Sequence, residues 1–318
     1  MLVKIKNLFQ SKKRALITVI AISVVAILLI NTAASVFFSL ILFKKGGWKG
    51  FEEYSYSDTL KSDSAFFEQK GERIETENAD GITLRGIQIK NEHISHSYVI
   101  MCHQYGGGPE TMTEYAKHFY DLGFNIVLPC LRGNEESEYG NISLGWGDGD
   151  DILCWIDSII EKDGDARIAL FGVSMGANAV TLAASKELPE NVRLVISDSC
   201  YTSAADLMKE YVKNDTPFSP LIVTGLTSVF SKAKIGESFK NADTVAKVGD
   251  IELPIMFING ENDTVVPPLV SKKLYENCEA DGVEEVIITE GTHGRNVEAD
   301  ASDYWSKVDA FILNNIGI

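Results

Sequence analysis

Apolar and polar positions alternate in blocks along most of this chain. Short apolar runs suited to buried strands, such as Ser97–Cys102 and Asn125–Pro129, are separated by segments with helical spacing. The same pattern predicts further strands at residues 72–76, 82–89, 167–172, 192–197, 255–259 and 286–288. Asp80-Gly81 between the first two predicts a hairpin turn. We therefore predict an α/β fold whose mostly parallel central sheet carries helices on both faces.

One interval breaks this alternation. Residues 201–243 hold apolar stretches but no predicted strand. An insertion of that length between two strands predicts either a functional segment or a helical cap.

The N-terminal region has a different pattern. Residues 15–43 carry no formal charge and are long enough, as a helix, to cross a bilayer. They follow a basic tail at residues 1–14, and a polar stalk is predicted at residues 44–70, with Trp48 as an interfacial aromatic. We expect the folded domain to occupy residues 71–318. A buried core helix is disfavoured here, because nothing in the sequence indicates a partner for it.

The charge distribution sets an orientation for this segment. Five basic residues precede it and three follow, which predicts a cytoplasmic N-terminus and an extracytoplasmic domain. A cleaved signal peptide, with small residues at positions 33–35, is the alternative, but the apolar stretch is longer than usual for one. After residue 49 there are 21 basic and 45 acidic residues, so this domain should be repelled by nucleic acid and by anionic lipid, and neither is an expected partner.

The sequence around Ser174 predicts nucleophilic chemistry. Gly172-Val173-Ser174-Met175-Gly176 directly follows a predicted strand and opens a predicted helix. That context is typical of a nucleophile elbow. A serine hydroxyl needs a base, and His293 is the one histidine that follows Ser174 in the chain.

The partner acid of this histidine is predicted to be Asp263, which follows the strand at residues 255–259. Glu261 and Asp198 remain as alternatives. The oxyanion is expected to be held by the backbone N–H groups of Met175 and Tyr105. His103, beside Tyr105, is expected to be structural.

Metal and nucleotide motifs are absent from the sequence, so no cofactor is predicted. The five cysteines contain no CxxC pair and are expected to be mostly buried, with one disulfide left open. One of two N-glycosylation sequons, at residues 262–264, includes the predicted acid, which favours a bacterial source.

The segments HQYGG, LRG, GVSMGA, NGENDTVV and GTH resemble those of the alpha/beta-hydrolase superfamily. More narrowly, the chain resembles membrane-anchored bacterial hydrolases related to serine aminopeptidases and BEM46-like proteins. The resemblance covers residues 70–318 and implies a Ser174–Asp263–His293 triad beneath a helical cap. Two segments depart from the pattern. Gln104 stands where relatives have glycine, and Cys130-Leu131-Arg132-Gly133-Asn134 replaces a D-x-R-G-H sequence.

Taken together, the sequence predicts a monomeric extracytoplasmic serine hydrolase acting on esters or thioesters through an acyl-enzyme. The expected substrate is a small molecule or a short acyl or peptidyl compound. A peptidase or amidase that uses the same catalytic residues is the alternative activity. A non-catalytic surface binding protein is the remote third possibility.

Overall fold

The computed structural model describes residues 2–47, 64–134, 136–236, 238–239 and 242–317. The predicted Trp48 anchor and most of the predicted stalk lie outside these ranges. Within them, eight strands form one sheet: β1 (Gly71–Glu77), β2 (Thr83–Ile89), β3 (Ser97–Cys102), β4 (Asn125–Pro129), β5 (Arg167–Val173), β6 (Val192–Asp198), β7 (Ile255–Gly260) and β8 (Glu284–Ile288). The helices are α1 (Leu2–Leu42), α2 (Ser64–Lys70), α3 (Thr113–Asp121), α4 (Asp148–Ile160), α5 (Met175–Ala184), α6 (Ala204–Asp215), α7 (Pro220–Ile235), α8 (Leu269–Asn277), α9 (Asn296–Ala299) and α10 (Ala301–Asn315).

The sheet is mostly parallel, as predicted. Its strand order is β1-β2-β4-β3-β5-β6-β7-β8, and the strands from β4 to β8 in this order run parallel. The β1–β2 hairpin pairs antiparallel with itself and with β4. β5 therefore lies inside the sheet, and the loops after β3, β5, β7 and β8 leave from its carboxyl edge. In an open parallel sheet this edge is where ligand sites form.

Helices cover both faces of the sheet because its central strands are apolar throughout. All residues of β4 and β7 are buried. One core lies between the sheet and α4 and α5, and the other lies beneath α3 and α10.

The insertion between β6 and β7 is helical. α6 and α7 occupy it, and among its described residues the one β-type contact is an isolated bridge between Ser203 and Asp243. Both helices have serine N-caps: Ser203 accepts from the backbone of Asp206, and Ser219 accepts from that of Ile222. Pro220 then takes the first helical position of α7, where its missing N–H costs no hydrogen bond.

The N-terminal helix α1 has two parts that differ in burial. Residues 12–30 are exposed on all sides. From Asn31 onward the buried residues are spaced three or four apart, namely Asn31, Ala34, Ser35, Phe38, Ser39 and Leu42. This stripe packs against α7. The expectation that the helix has no partner is therefore wrong for its last third. In the sequence, three polar residues look like interruptions of an apolar span. In the structure they lie on the face of α1 that packs against α7, namely Asn31, Ser35 and Ser39.

The described ends of the predicted stalk also differ from a free polar linker. Gly46 donates a backbone hydrogen bond to Gly133 at 2.7 Å, and Lys45 Nζ donates to the Ser137 carbonyl at 2.6 Å. A Cβ on Gly47 would lie 2.7 Å from the Gly106 Cα, so only glycine permits this approach. Residues 44–47 are therefore part of the folded domain.

Candidate active site

Ser174 lies in a strained turn between β5 and α5. Its φ of 54° and ψ of −113° place it in a region that residues with side chains rarely adopt. A Cβ on Gly172 would lie 2.2 Å from the Gly176 carbonyl oxygen, and one on Gly176 would lie 2.0 Å from the Cys102 carbonyl oxygen. Both glycines are therefore required by the close backbone approach, and the turn projects Ser174 from the sheet edge.

Ser174, His293 and Asp263 form one chain of hydrogen bonds. Ser174 Oγ is 2.8 Å from His293 Nε2, and His293 Nδ1 is 2.8 Å from Asp263 Oδ2. The other Asp263 oxygen, Oδ1, accepts from the backbone N–H groups of Val265 (2.9 Å) and Val266 (2.7 Å). These two bonds fix the carboxylate, which in turn orients the imidazole so that Nε2 faces the serine hydroxyl.

The environment of His293 balances two opposing effects on its pKa. Burial disfavours the charged imidazolium, but the charge of Asp263 and the hydrogen bond to it, with a contribution from Asp198, outweigh burial. The pKa of His293 is therefore raised above its ordinary value. This favours an imidazole that readily takes up a proton from Ser174.

The two alternative acids lie elsewhere. Glu261 is exposed, and its carboxylate accepts from the backbone of Glu290 at 3.5 Å. Asp198 is buried and accepts from Asn296 (2.6 Å), Ser199 (2.9 Å) and Tyr304 (2.9 Å). Burial raises the pKa of Asp198 to about 6, although these hydrogen bonds favour its charged form. Among the described contacts, Asp263 is the carboxylate that reaches the His293 ring.

The Asp198 network supports the loop that carries His293. Ser199 Oγ accepts from the Gly294 N–H at 3.2 Å, and Asn296 Nδ2 reaches both Asp198 and Ser199. The sequence analysis missed Asn296 and Tyr304, because a polar residue three positions after a histidine has no distinctive signal. Their role depends on α9, which holds Asn296, and α10, which holds Tyr304, both packing against the end of β6.

The loop after β3 places Tyr105 beside the serine. Tyr105 and Met175 both line the cavity that contains Ser174 and His293. Met175 is the first residue of α5, so its N–H points out of the helix N-terminus, where the helix dipole favours negative charge.

His103 is buried in the same loop, and both of its ring nitrogens bond to backbone groups, which is a structural role. Its Nε2 accepts from the Leu131 N–H at 3.1 Å, so Nδ1 carries the proton and donates to the Gln104 carbonyl at 2.9 Å. Burial lowers its pKa to about 4, although the bond to Gln104 acts in the opposite direction. A neutral His103 therefore joins the β3 loop to the segment after β4.

The residues of the two departures from the superfamily pattern do not line the cavity. The Gln104 Oε1 accepts from Thr111 at 3.4 Å, and Gln104 is not among the residues that line the cavity. Arg132 forms two hydrogen bonds with Asp151, at 2.7 and 2.9 Å, and its backbone donates to Asp148. Neither replacement displaces Ser174 or His293.

The cavity at Ser174 is about 410 Å³ and mostly apolar. Its far wall is α6, which contributes residues along its whole length, from Ala204 to Asp215. Leu42, at the end of α1, contributes a further wall. Among the described residues there is no cluster of three or more His, Cys, Asp or Glu side chains able to hold a metal ion, and all five cysteines are free thiols.

Comparison with known proteins identifies relatives of this chain. The serine hydrolase family FSH1 matches residues 150–294, a range that contains Ser174, Asp263 and His293. YqkD of Bacillus subtilis is 26% identical over 74% of this chain and 77% of its own. The membrane protein YNL320W of Saccharomyces cerevisiae is 23% identical over 76% and 79%, and bem46 of Schizosaccharomyces pombe is 24% identical over 71% and 76%.

The fold also matches a solved structure. The Pyrococcus furiosus esterase Pf2001 superimposes with a TM-score of 0.67 at 19% identity, over 80% of this chain and 95% of the esterase. These similarities confirm the predicted resemblance to the alpha/beta-hydrolase superfamily and to BEM46-like proteins, and they support a hydrolase.

Proposed function

We propose that this chain, which has the alpha/beta-hydrolase fold, is a membrane-anchored serine hydrolase that cleaves carboxylic esters or thioesters. The observation that carries the proposal is the hydrogen-bonded series Ser174–His293–Asp263 at a strained elbow, opening into an apolar cavity. A serine in that setting is activated by its base, whereas an ordinary serine is a poor nucleophile.

Each side chain has one role in the proposed reaction. Ser174 Oγ attacks the substrate carbonyl carbon while His293 Nε2 accepts the hydroxyl proton. The N–H groups of Met175 and Tyr105 hold the oxyanion of the tetrahedral intermediate. Collapse breaks the bond to the leaving alcohol or thiol, which takes the proton from His293. Water then attacks the acyl-enzyme with His293 as base, releasing the carboxylic acid and restoring Ser174.

An ester or thioester is favoured by the lining of the cavity. Its wall is mostly apolar, which suits an acyl chain. The carboxylates of Glu210 and Asp215 also line it and are the feature that would favour the alternative, because a peptide's terminal amine could bind there. Glu210 is already paired with Lys213 at 3.0 Å, which weakens that alternative.

The membrane anchor in this proposal is α1. One apolar helical segment, Lys12–Leu42, is long and apolar enough to cross a bilayer. The basic tail before it supports a cytoplasmic N-terminus and a hydrolase domain outside the cytoplasm. Protease added to intact cells tests this orientation. Digestion of the domain would support it, and protection of the domain until lysis would show the opposite orientation.

The activity test combines a probe and a substrate screen on the full chain. A fluorophosphonate should label wild-type protein and fail to label Ser174→Ala. The screen then compares acyl esters, acyl thioesters and aminoacyl amides. Faster turnover of amides than of matched esters would favour the peptidase alternative, and an unlabelled, inactive wild type would favour a non-catalytic protein.

A further inference from the structure

We propose that the start of α7 and the turn joining it to α6 lie in the membrane leaflet on the side of the hydrolase domain, and that the substrate is a long-chain acyl ester entering from that leaflet. This inference rests on the proposed function, because it names the substrate class of the same site. It comes from the way α1 is joined to the cavity wall.

The depth of the domain follows from the length of the free part of α1. Residues 15–30, which are uncharged and exposed on all sides, extend about 24 Å as a helix. A bilayer core is about 30 Å thick, so about four more residues must be immersed. Those residues begin at Asn31, which already packs against the domain. Whatever contacts Asn31 and Ala34 therefore lies at membrane depth.

The element at that depth is the start of α7. Asn31 Oδ1 accepts from the Ser219 N–H at 2.8 Å. Ser35 Oγ, which donates to the Asn31 carbonyl at 2.7 Å, lies 3.4 Å from the Val223 carbonyl oxygen. The later residue of α1 lies near the later residue of α7, so the two helices run parallel. The chain of α7 therefore runs out of the membrane in the same direction as α1. Its charged residues, Lys232 and Lys234, lie at the opposite end.

The side of α7 that faces away from the protein is apolar over this stretch. Leu221 is 78% exposed and Val229 is 66% exposed, and Gly225 between them is exposed as well. The spacing of four places all three on one face. This helix begins beside a membrane span, and contact with lipid explains why its outward face is apolar and exposed to the surroundings of the protein.

The cavity connects this region to Ser174. α6 lines the cavity over a length of about 18 Å and ends at Asp215, four residues before Ser219. The Phe38 ring of α1 packs against the rings of Tyr211 (5.9 Å) and Phe218 (6.3 Å), so the cavity wall and the membrane helix are in direct contact. An acyl chain bonded at Ser174 can therefore follow α6 toward the leaflet.

The first experiment tests the immersion of α7 without using catalysis. A fluorescent NBD label is attached at position 221 through Leu221→Cys, in full-length protein carrying Cys154→Ser to remove the least buried native thiol. The protein is placed in phosphatidylcholine vesicles containing doxyl-labelled lipid. Leu313→Cys is the matched control, because Leu313 is 64% exposed on α10, a helix that packs on the opposite side of the sheet from α5. We expect strong quenching at 221 and little at 313. Equal quenching at the two positions would overturn the immersion.

The second experiment tests the substrate class. Leu221→Glu and Leu313→Glu are compared on a water-soluble acetyl ester and on a palmitoyl ester embedded in vesicles. We expect Leu221→Glu to lose at least about tenfold on the palmitoyl ester alone, since a carboxylate is costly in the leaflet, and Leu313→Glu to retain both activities. Cleavage of the acetyl ester with no cleavage of the palmitoyl ester would overturn the substrate class and leave the proposed function intact. If wild type cleaves neither ester and none of the acyl thioesters in the screen, the proposed function fails, and the label at 221 still decides the position of α7.

Discussion

The Tyr105 hydroxyl donates a hydrogen bond to the Leu42 carbonyl oxygen at 3.1 Å, across 63 residues of sequence. It also lies 3.2 Å from the Ile41 carbonyl oxygen. Both carbonyls belong to the last turn of α1, and the Ile41 oxygen also accepts from the Lys44 N–H at 3.3 Å. The N-terminal helix is thereby joined to the loop whose backbone is proposed to hold the oxyanion.

Tyr105→Phe should lower kcat while leaving the KM for a short ester nearly unchanged. The substitution keeps the ring and the backbone N–H but removes the tie to α1, an interaction of about 1 kcal/mol, so kcat should fall about fivefold. Steady-state kinetics on the full chain in detergent micelles measure this. Tyr275→Phe, on the exposed side of α8, is the control and should match wild type. A wild-type kcat in Tyr105→Phe would show that the tie does not position the loop.

Ser174→Ala should abolish hydrolysis, with a loss on the order of 10⁶-fold, because no other group supplies the nucleophile. The fold should persist, since the substitution removes one oxygen at an unchanged backbone turn. Burst kinetics and thermal unfolding measure the two effects. Ser158→Ala, in α4, should retain full activity. Residual activity within tenfold of wild type would remove Ser174 from the mechanism.

Asp263→Asn should lower kcat about 10⁴-fold, because the amide no longer stabilises the imidazolium and favours the wrong tautomer. Glu261→Gln should have almost no effect, since its side chain is exposed and contacts a backbone N–H. Asp198→Asn should act mainly on stability, because it perturbs buried hydrogen bonds to Asn296 and Tyr304. Parallel measurement of kcat and melting temperature for the three variants separates these roles. A crippled Glu261→Gln enzyme would contradict the assignment of the acid.

The pH dependence of kcat/KM should report His293. The base must be neutral in the free enzyme, so the rate rises as the imidazolium loses its proton. Because the pKa of His293 is raised, the midpoint should lie above the ordinary value of about 6.5. Removing the Asp263 charge removes the main cause that raises the pKa, so the residual activity of Asp263→Asn should have its midpoint at lower pH. A midpoint that does not move would show that the carboxylate is not the source of the shift.

Asn31→Leu should destabilise the full-length protein. The substitution removes the acceptor for the partly buried Ser219 N–H at the start of α7, at a cost of about 1 kcal/mol. Thermal unfolding in detergent should show a melting temperature several degrees below wild type. Thr32→Leu is the matched control, because Thr32 is exposed and bonds within its own helix. Equal melting temperatures for the two variants would show that α1 does not support α7.

The sequence by itself determined the features that arise from local physics. Apolar runs too short for helices predicted the buried parallel strands, since both faces of such a strand lie against helices. The glycines beside Ser174 predicted the elbow, because the strained turn and its close contacts tolerate no side chain at either position. The Asp80-Gly81 turn likewise predicted the β1–β2 hairpin, and Gly81 has the positive φ of 75° that the turn requires.

Only the tertiary structure decided which of these residues meet. Asp198 ends β6, and Glu261 and Asp263 follow β7 at the same sheet edge. The choice among them depends on distances of a few ångströms that no spacing in the sequence encodes. The N-terminal helix is the clearer case. Its composition is that of a lipid-facing span, and nothing in residues 15–43 identifies α7 as a partner. Asn31 and Ser35 donate to carbonyls of their own helix at 2.8 and 2.7 Å, which makes their burial tolerable. They form a packing face only because Ser219 and Val223, 188 residues away in each case, lie against them.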